Sequence, residues 1–176
     1  MGKKQIIIIG GGPAGLMAAE ILSAAHNVHL YDKEKNVGQK FLLAGKGGFN
    51  LTNNAYGEEL TGKYSPAGFM NEALSGLDPS ALRQWLLSIG IPTFVGSSGR
   101  VFPEKGIKPI DVLNKIRARL TEQGVQIHPK HELVGFDKNR HVTLKNNDQE
   151  VTHEADYIIF ALGGASWPAT GSDGSW

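Results

Sequence analysis

Three glycines, Gly10, Gly12 and Gly15, fall at the spacing G-x-G-x-x-G within the run IIIIGGGPAG from Ile6 to Gly15. Four isoleucines lead into the motif and a helical pattern follows it. Glycine loses more backbone entropy on folding than other residues, so their concentration at one corner needs a reason. At a strand-to-helix junction the first glycine permits a tight turn. The second lets a pyrophosphate approach the backbone, and the third brings helix against strand. The helix N-terminus adds unpaired N–H groups and the positive end of the helix dipole. Asp32 ends the next strand, 17 residues after Gly15, where a carboxylate can accept hydrogen bonds from both hydroxyls of an adenosine ribose. Strand, glycines, Ala19 at the close-packing helix position and Asp32 together predict a dinucleotide-binding corner. The carboxylate disfavours a 2′-phosphate and hence NADP; spacing alone leaves NAD and FAD open.

The elements that must position this corner follow from periodicity. Residues 5–9 read as a strand whose unbroken isoleucines suit parallel pairing with both faces covered. Residues 13–25 are helical, with Leu16, Ala19, Ile21 and Leu22 available for burial, and Asn27 turns the chain into a second strand at 28–31. Together they make one βαβ unit. Residues 38–54, GQKFLLAGKGGFNLTNN, read as a glycine-rich loop. Short elements follow: a helix over 66–74, and another after Asp78-Pro79, a cap residue with proline at the first helical position. Strands at 92–95 and 100–102 flank a hairpin turn at 96–99. Residues 110–122 carry Ile110, Leu113, Ile116 and Leu120 at helical spacing, closed by Gly124. Strands are predicted at 125–128, 133–137, 141–145, weakly near Val151, and at 157–161, the last running into Gly163-Gly164. The polar ending Gly171-Ser-Asp-Gly-Ser-Trp176 predicts that these residues are the first part of a longer protein.

Of the 176 residues, 40% are hydrophobic and 20% charged, which reads as globular. A net charge of +1 argues against nucleic acid and membrane surfaces as partners. The charged run 105–119 reads as a solvated helix face. The chain has no cysteine, which excludes disulfides, thiolate nucleophiles and redox-active cysteine pairs within it. With neither a signal peptide nor a long apolar span in view, the expected location is the cytoplasm. No G-x-S-x-G nucleophile elbow occurs. His128 and His131, three apart, read as surface strand-and-turn residues, since no metal-ligand cluster accompanies them; no metal is expected. Trp85 and Trp167 read as packing residues.

The stretch IIIIGGGPAGLMAAEIL, followed by VHLYDKEKNVGQKFLLAGKGGFNLTN, is similar to the start of the two-dinucleotide-binding-domain flavoproteins. More narrowly, the chain resembles the BaiN/YhiN-type flavoproteins, some of which carry the label aminoacetone oxidase. Gly99-Arg-Val-Phe-Pro103 resembles that family's GRxFP element, and Lys108-Pro-Ile-Asp-Val-Leu113 its following helix. Ala161-Leu-Gly-Gly-Ala-Ser-Trp-Pro-Ala-Thr-Gly-Ser resembles its ATGG-x-S-x-P-x-TGS segment. The resemblance covers nearly the whole chain. Many members carry GGGRCN where this chain has Gly45-Lys-Gly-Gly-Phe-Asn50, so the Arg-Cys pair is absent and a Gly-Lys-Gly-Gly subgroup is nearer. The late Gly-Asp motif with which such flavoproteins hold the ribityl chain has no counterpart here.

The resemblance implies an α/β fold, a Rossmann-like FAD/NAD(P)-binding domain, incomplete and carrying an inserted helical and hairpin segment. Residues 1–54 would form the first βαβ unit and flavin-side loop, 55–108 the insertion, and 109–176 the continuation of the FAD domain. It implies FAD as cofactor, with Gly10, Gly12, Pro13, Ala14 and Gly15 at the pyrophosphate and Asp32 at the ribose. Lys33 and Lys40 would lie near the adenosine or the loop covering the flavin, and the backbone of Leu133 at the adenine. Ala161, Leu162 and Gly163 would pass the pyrophosphate. Ala44, Gly45, Gly47, Gly48 and Asn50 would lie by the isoalloxazine ring, where glycines let N–H groups approach and stabilise charge on the reduced flavin. Lys46 and Arg100 are the charged residues to watch for an anionic substrate or the flavin ring, Arg100 standing equally well as a hairpin cap. The implied activity is hydride transfer through flavin N5 to or from a small-molecule substrate, with NAD(P)H a candidate electron donor. An NAD-dependent dehydrogenase and a flavin-binding module without turnover are the alternatives; an RNA-modifying flavoprotein is a third, against which the near-neutral charge and lack of a basic stripe count.

Overall fold

A computed structural model describes residues 2–43, 49–165 and 174. In chain order its elements are β1 (Gln5–Ile9), α1 (Pro13–Ser23), β2 (Asn27–Asp32), α2 (Gln39–Leu43), β3 (Thr52–Asn53), α3 (Gly57–Thr61), α4 (Asn71–Gly76) and α5 (Pro79–Ser88). They continue with β4 (Thr93–Val95), β5 (Arg100–Pro103), α6 (Pro109–Glu122), β6 (Gln126–Pro129), β7 (Glu132–Phe136), β8 (His141–Asn146), β9 (Gln149–Glu154) and β10 (Tyr157–Phe160). The chain forms two compact units, one of Met1–Leu43 with Ile116–Trp176, the other of Ala44–Lys115.

The first unit is built on a four-stranded parallel sheet in the order β10-β1-β2-β6. Successive strand residues point to opposite faces, so β1 must find cover on both. Ile7 and Ile9 join Tyr31, Val142, Leu144 and Ala155 in one core cluster, with Leu133, Ile158 and Leu162 packed against it. The antiparallel sheet β7-β8-β9 supplies that cover. Ile6 and Ile8, on the other face, are 2% and 0% exposed, and α1 packs against β1 and β2. An isoleucine run without polar alternation is the signature of such a doubly covered strand. Arg119 of α6 donates from Nε to the Glu20 carboxylate of α1 at 3.2 Å, and Ser23 Oγ donates to Gln123 Oε1 at 2.9 Å. At the far edge, Asp156 accepts from the Gln5 N–H at 2.8 Å and the Lys4 ammonium at 3.0 Å, tying the approach to β10 to the start of β1.

The second unit holds the antiparallel sheet β3-β5-β4, with Val101 fully buried at its centre. Asp78 caps α5 as expected, accepting from the Ala81 N–H at 2.7 Å, and Pro79 opens the helix. Arg83 fastens α5 to β4, its Nε donating to Thr93 Oγ1 at 3.1 Å.

Three expectations shift. The helix predicted over 66–74 begins at Asn71, because Gly68 adopts φ +79°, outside helical space. The stretch that reads as a loop, 38–54, contains α2 and β3, each too short to show a period. The weak strand near Val151 is six residues long, its polar sequence QEVTHE stabilised by pairing along β8. Among the described residues no helix is long and apolar enough to cross a membrane. Leu30 is fully buried while Ile21 is 62% exposed. Truncating Leu30 to alanine is therefore expected to cost about 3 kcal/mol in a denaturant titration. Ile21→Ala should stay within about 0.5 kcal/mol of the parent.

Candidate functional site

The β1–α1 corner separates its glycines by cause. Gly10 adopts φ +106°, donates its N–H to the Tyr31 carbonyl at 2.8 Å, and would drive any Cβ into the Ala161 carbonyl. A Cβ on Gly15 would run into the Gly10 carbonyl, so helix and strand meet there with no room between. Gly11, between two motif glycines, is equally constrained: a Cβ would lie 2.5 Å from Val37 Cγ1 and 2.8 Å from Asp32 Oδ2. Gly12 is different. Its φ of −75° and ψ of −177° suit any residue, and among the described residues nothing lies within 4 Å of where its Cβ would be. Among the described residues, packing gives no reason for glycine at this position. It sits at the N-cap of α1, beside first-turn N–H groups that lack helical acceptors. An open glycine at a helix N-terminus fits the approach of a phosphate group.

Asp32 is bound into the same corner. Its Oδ2 accepts the Gly11 N–H at 2.6 Å and its Oδ1 the Glu34 N–H at 2.8 Å. Each oxygen retains a lone pair for a further donor, such as a ribose hydroxyl. Burial pushes the Asp32 carboxyl above its ordinary value, opposed by the Glu34 and Gly11 amides and by the charge of Lys33. The turn after β6 grips the same segment: the Lys130 N–H donates to the Glu34 carbonyl at 3.0 Å and the His131 N–H to the Asp32 carbonyl at 2.9 Å. Beside it lies a cavity of about 470 Å³ lined by Lys33, Glu34, Lys130, Glu132, Lys145 and Asn147. Ligands of open α/β sheets bind at the carboxyl ends of strands, which is where β2 places Asp32 and Lys33.

The fold thus brings together Gly10, Gly12, Pro13, Ala14, Gly15, Asp32 and Lys33. Ala161 and Leu162 join them: the Ala161 N–H donates to the Ile9 carbonyl at 2.7 Å, and the Ala161 methyl is 3.5 Å from a Gly15 Cβ position. Gly163 follows, exposed and with φ +87°. Lys40 is half-buried on α2. Leu133 stands opposite Leu144 in β7, its side chain on the core cluster. Asn50 and Arg100 belong to the second unit and are exposed, Arg100 opposite Asn53 at the start of β5. Ala44, Gly45, Lys46, Gly47, Gly48 and Trp167 lie outside the described residues.

His128 and His131 depart from the surface reading. Both are half-buried, and the His128 ring stacks on Tyr31 at 4.4 Å because β6 pairs in register with β2. Among the described residues no group of three or more His, Cys, Asp or Glu is placed to hold a metal ion. Sequence reasoning also passes over Gly11, Val37 and Lys130; the extra glycine in the GGG triplet and the Val37-Gly38 step are the signals that could have found the first two.

The HI0933-like protein Rossmann domain matches residues 4–176. This chain belongs to the HI0933-like family. The BaiN/YhiN-type resemblance and the Rossmann-like α/β expectation are therefore borne out. The HI0933-like chain is 28% identical over 97% of its length to a 3-dehydro-bile acid delta(4,6)-reductase of Clostridium scindens. It is 27% identical over 94% of its length to a ribosomal RNA dihydrouridine synthase of Haemophilus influenzae. It spans about 42% of the length of both relatives. Among solved structures it is similar in fold to Thermovibrio ammonificans THI4, with a TM-score of 0.63 at 14% identity, covering 98% of this chain and 63% of that one. A flavocytochrome c3 fumarate reductase also scores 0.63 at 19% identity, covering 98% and 37%.

The geometry separates the glycines that folding requires from Gly12. Gly15→Ala is expected to destabilise the chain by about 3 kcal/mol or more in thermal or denaturant melts, through backbone collision. Gly12→Ala should cost less than about 1 kcal/mol, the scale of a weakened N-cap.

Proposed function

We propose that this chain is the FAD-binding part of an oxidoreductase that adds two hydrogens across a carbon–carbon double bond of a small molecule, with NAD(P)H as electron donor. The observation that carries the cofactor reading is Gly12, a glycine that nothing among the described residues requires, set at the α1 N-terminus one residue from the amide that Asp32 holds. The family resemblance favours FAD over NAD at this corner. Bound there, FAD supplies a two-electron carrier that accepts and donates hydride.

The residues around it have separate tasks. Gly12, Pro13, Ala14 and Gly15 present the helix N-terminus to the pyrophosphate, with Ala161, Leu162 and Gly163 on its other side. Asp32 orients the ribose through the acceptor capacity left on both oxygens, and Lys33 lines the cavity at the adenosine end. The family resemblance would assign Ala44, Gly45, Lys46, Gly47, Gly48 and Asn50 to the flavin ring and Arg100 to an anionic group. The backbone of Leu133 meets the adenine, and Lys40 lies near the adenosine or the loop over the flavin. The reaction class rests on the names of the two relatives, a delta(4,6)-reductase and a dihydrouridine synthase, both describing hydrogen added across a carbon–carbon double bond. A net charge of +1 supports a small molecule over RNA, and the lack of cysteine suits work in the cytoplasm.

The test is the absorbance spectrum of the purified protein, followed by titration with FAD. Flavin bands, with FAD released on denaturation, are the expected result. Asp32→Asn should raise the Kd for FAD by about tenfold or more, because an amide cannot accept from Gly11, Glu34 and ribose as a carboxylate does. A protein that is colourless and binds no added FAD would overturn the assignment and turn attention to NAD.

A further inference from the structure

Four imidazoles surround Tyr31 on the sheet face covered by β7-β8-β9. β2 supplies His29 and Tyr31, β6 His128, the turn after β6 His131, and β9 His153. His128 stacks on Tyr31 with centroids 4.4 Å apart, while His131 meets it edge-on and His153 tilted, each at 5.4 Å. His29 Nδ1 lies 3.2 Å from His128 Nε2 in rings only 5° from parallel. Such a contact needs one nitrogen to donate and the other to accept, so it exists only while at least one ring is neutral. His131 Nδ1 donates to the Pro129 carbonyl at 2.8 Å, and its Nε2 meets the Asn146 amide of β8 at 3.2 Å.

The charges bearing on these rings are mainly one another's. Burial first, and then neighbouring imidazoles, hold His29, His128 and His153 below the ordinary histidine value. Among the described residues no ion pair joins any of the four to a carboxylate. The nearby charged groups, Lys33 and Glu34 after β2, Lys130 on the turn, Glu132 of β7 and Lys145 of β8, line the adjoining cavity. The cluster is also mechanically joined to Asp32. Tyr31 pairs with His128 and Asp32 with Pro129 along the β2–β6 ladder, and the His131 N–H holds the Asp32 carbonyl.

We propose that the four imidazoles form an acid-sensitive latch on the seat of Asp32. Neutral rings hold the 129–131 turn against the end of β2; protonation of His29, His128 and His153 in acid drives the cluster apart and loosens the Asp32 carboxylate from the Gly11 and Glu34 amides. The sign follows from linkage. A histidine whose folded value is lowered binds fewer protons folded than unfolded, so the stability is complete above about pH 6.5 and declines as pH falls below it. Resting on the proposed FAD site, the same latch would weaken nucleotide binding in acid.

The experiment is a pH titration of the 176-residue chain from about pH 7.5 to 5.5 by two-dimensional NMR. It follows the imidazole nitrogens together with the Gly11 and Glu34 amides, and thermal melts run in parallel. The Gly11 and Glu34 signals are expected to move with the imidazole midpoints, with Tm lower by about 5 °C at the acid end. His128→Gln with His153→Gln should abolish that shared movement and leave a flat Tm. If the double variant does not fold, His153→Gln alone and the parent titration decide. Gly11 and Glu34 amides that stay still while the imidazoles titrate, or variants that keep the parent profile, would overturn the latch. A parallel FAD titration should show the Kd about tenfold higher at the acid end in the parent and little changed in the double variant. Absence of FAD binding at either end would sink the nucleotide reading, while the amide signals still decide the latch.

Discussion

The Gly11 N–H bonded to the Asp32 carboxylate at 2.6 Å is the constraint around which the first unit is organised. It joins the turn after β1 to the end of β2, and it is possible only because Gly11 has no Cβ to collide with Val37 and with Asp32 itself. Close approach here fixes the position of α1 relative to both strands, since Gly15 closes against Gly10 within the same few ångströms. A charge-assisted hydrogen bond in a half-buried setting is stronger than a neutral one, which suits it to holding a glycine-rich turn that has little stiffness of its own. The corner is thus rigid where the chain touches itself and open at Gly12.

Much of this could be read from the residues in order. The isoleucine run, the G-x-G-x-x-G spacing and Asp32 at the next strand end define the corner because each link is local: a period, a turn, a count. The cap at Asp78 and the helix at Pro109–Glu122 were legible for the same reason. What escaped was set by pairing across the sequence. His29 and His128 lie 99 residues apart and become neighbours only through the parallel register of β2 with β6. No composition or spacing rule announces that. Gly11 occupies a variable position of the motif, so its necessity emerges only from the side chains of Val37 and Asp32 packed above it.

The two ends of Asp32 do different work. Its side chain orders the glycine turn, whereas its carbonyl is gripped by the backbone of the turn after β6. A residue shared in this way transmits strain from one side to the other without any large movement, because close-packed surroundings offer few intermediate positions. The ring stack behind it and the open helix terminus before it are therefore parts of one mechanical arrangement, joined through a single short strand end.

The parallel sheet places β10 beside β1, so that Asp156 meets Gln5 across 151 residues of chain. Contacts of such separation must wait for a long loop to close, and topology of this kind slows folding. During synthesis β1 is made before β10 and has no partner on that side until the strand ending at Phe160 follows. Gly10 likewise lacks the Ala161 carbonyl that will press against it. The β1 segment is thus among the last to be locked on both sides, and through that interval an almost purely isoleucine strand depends on its early partner β2 and on helix α1 to stay out of wrong company.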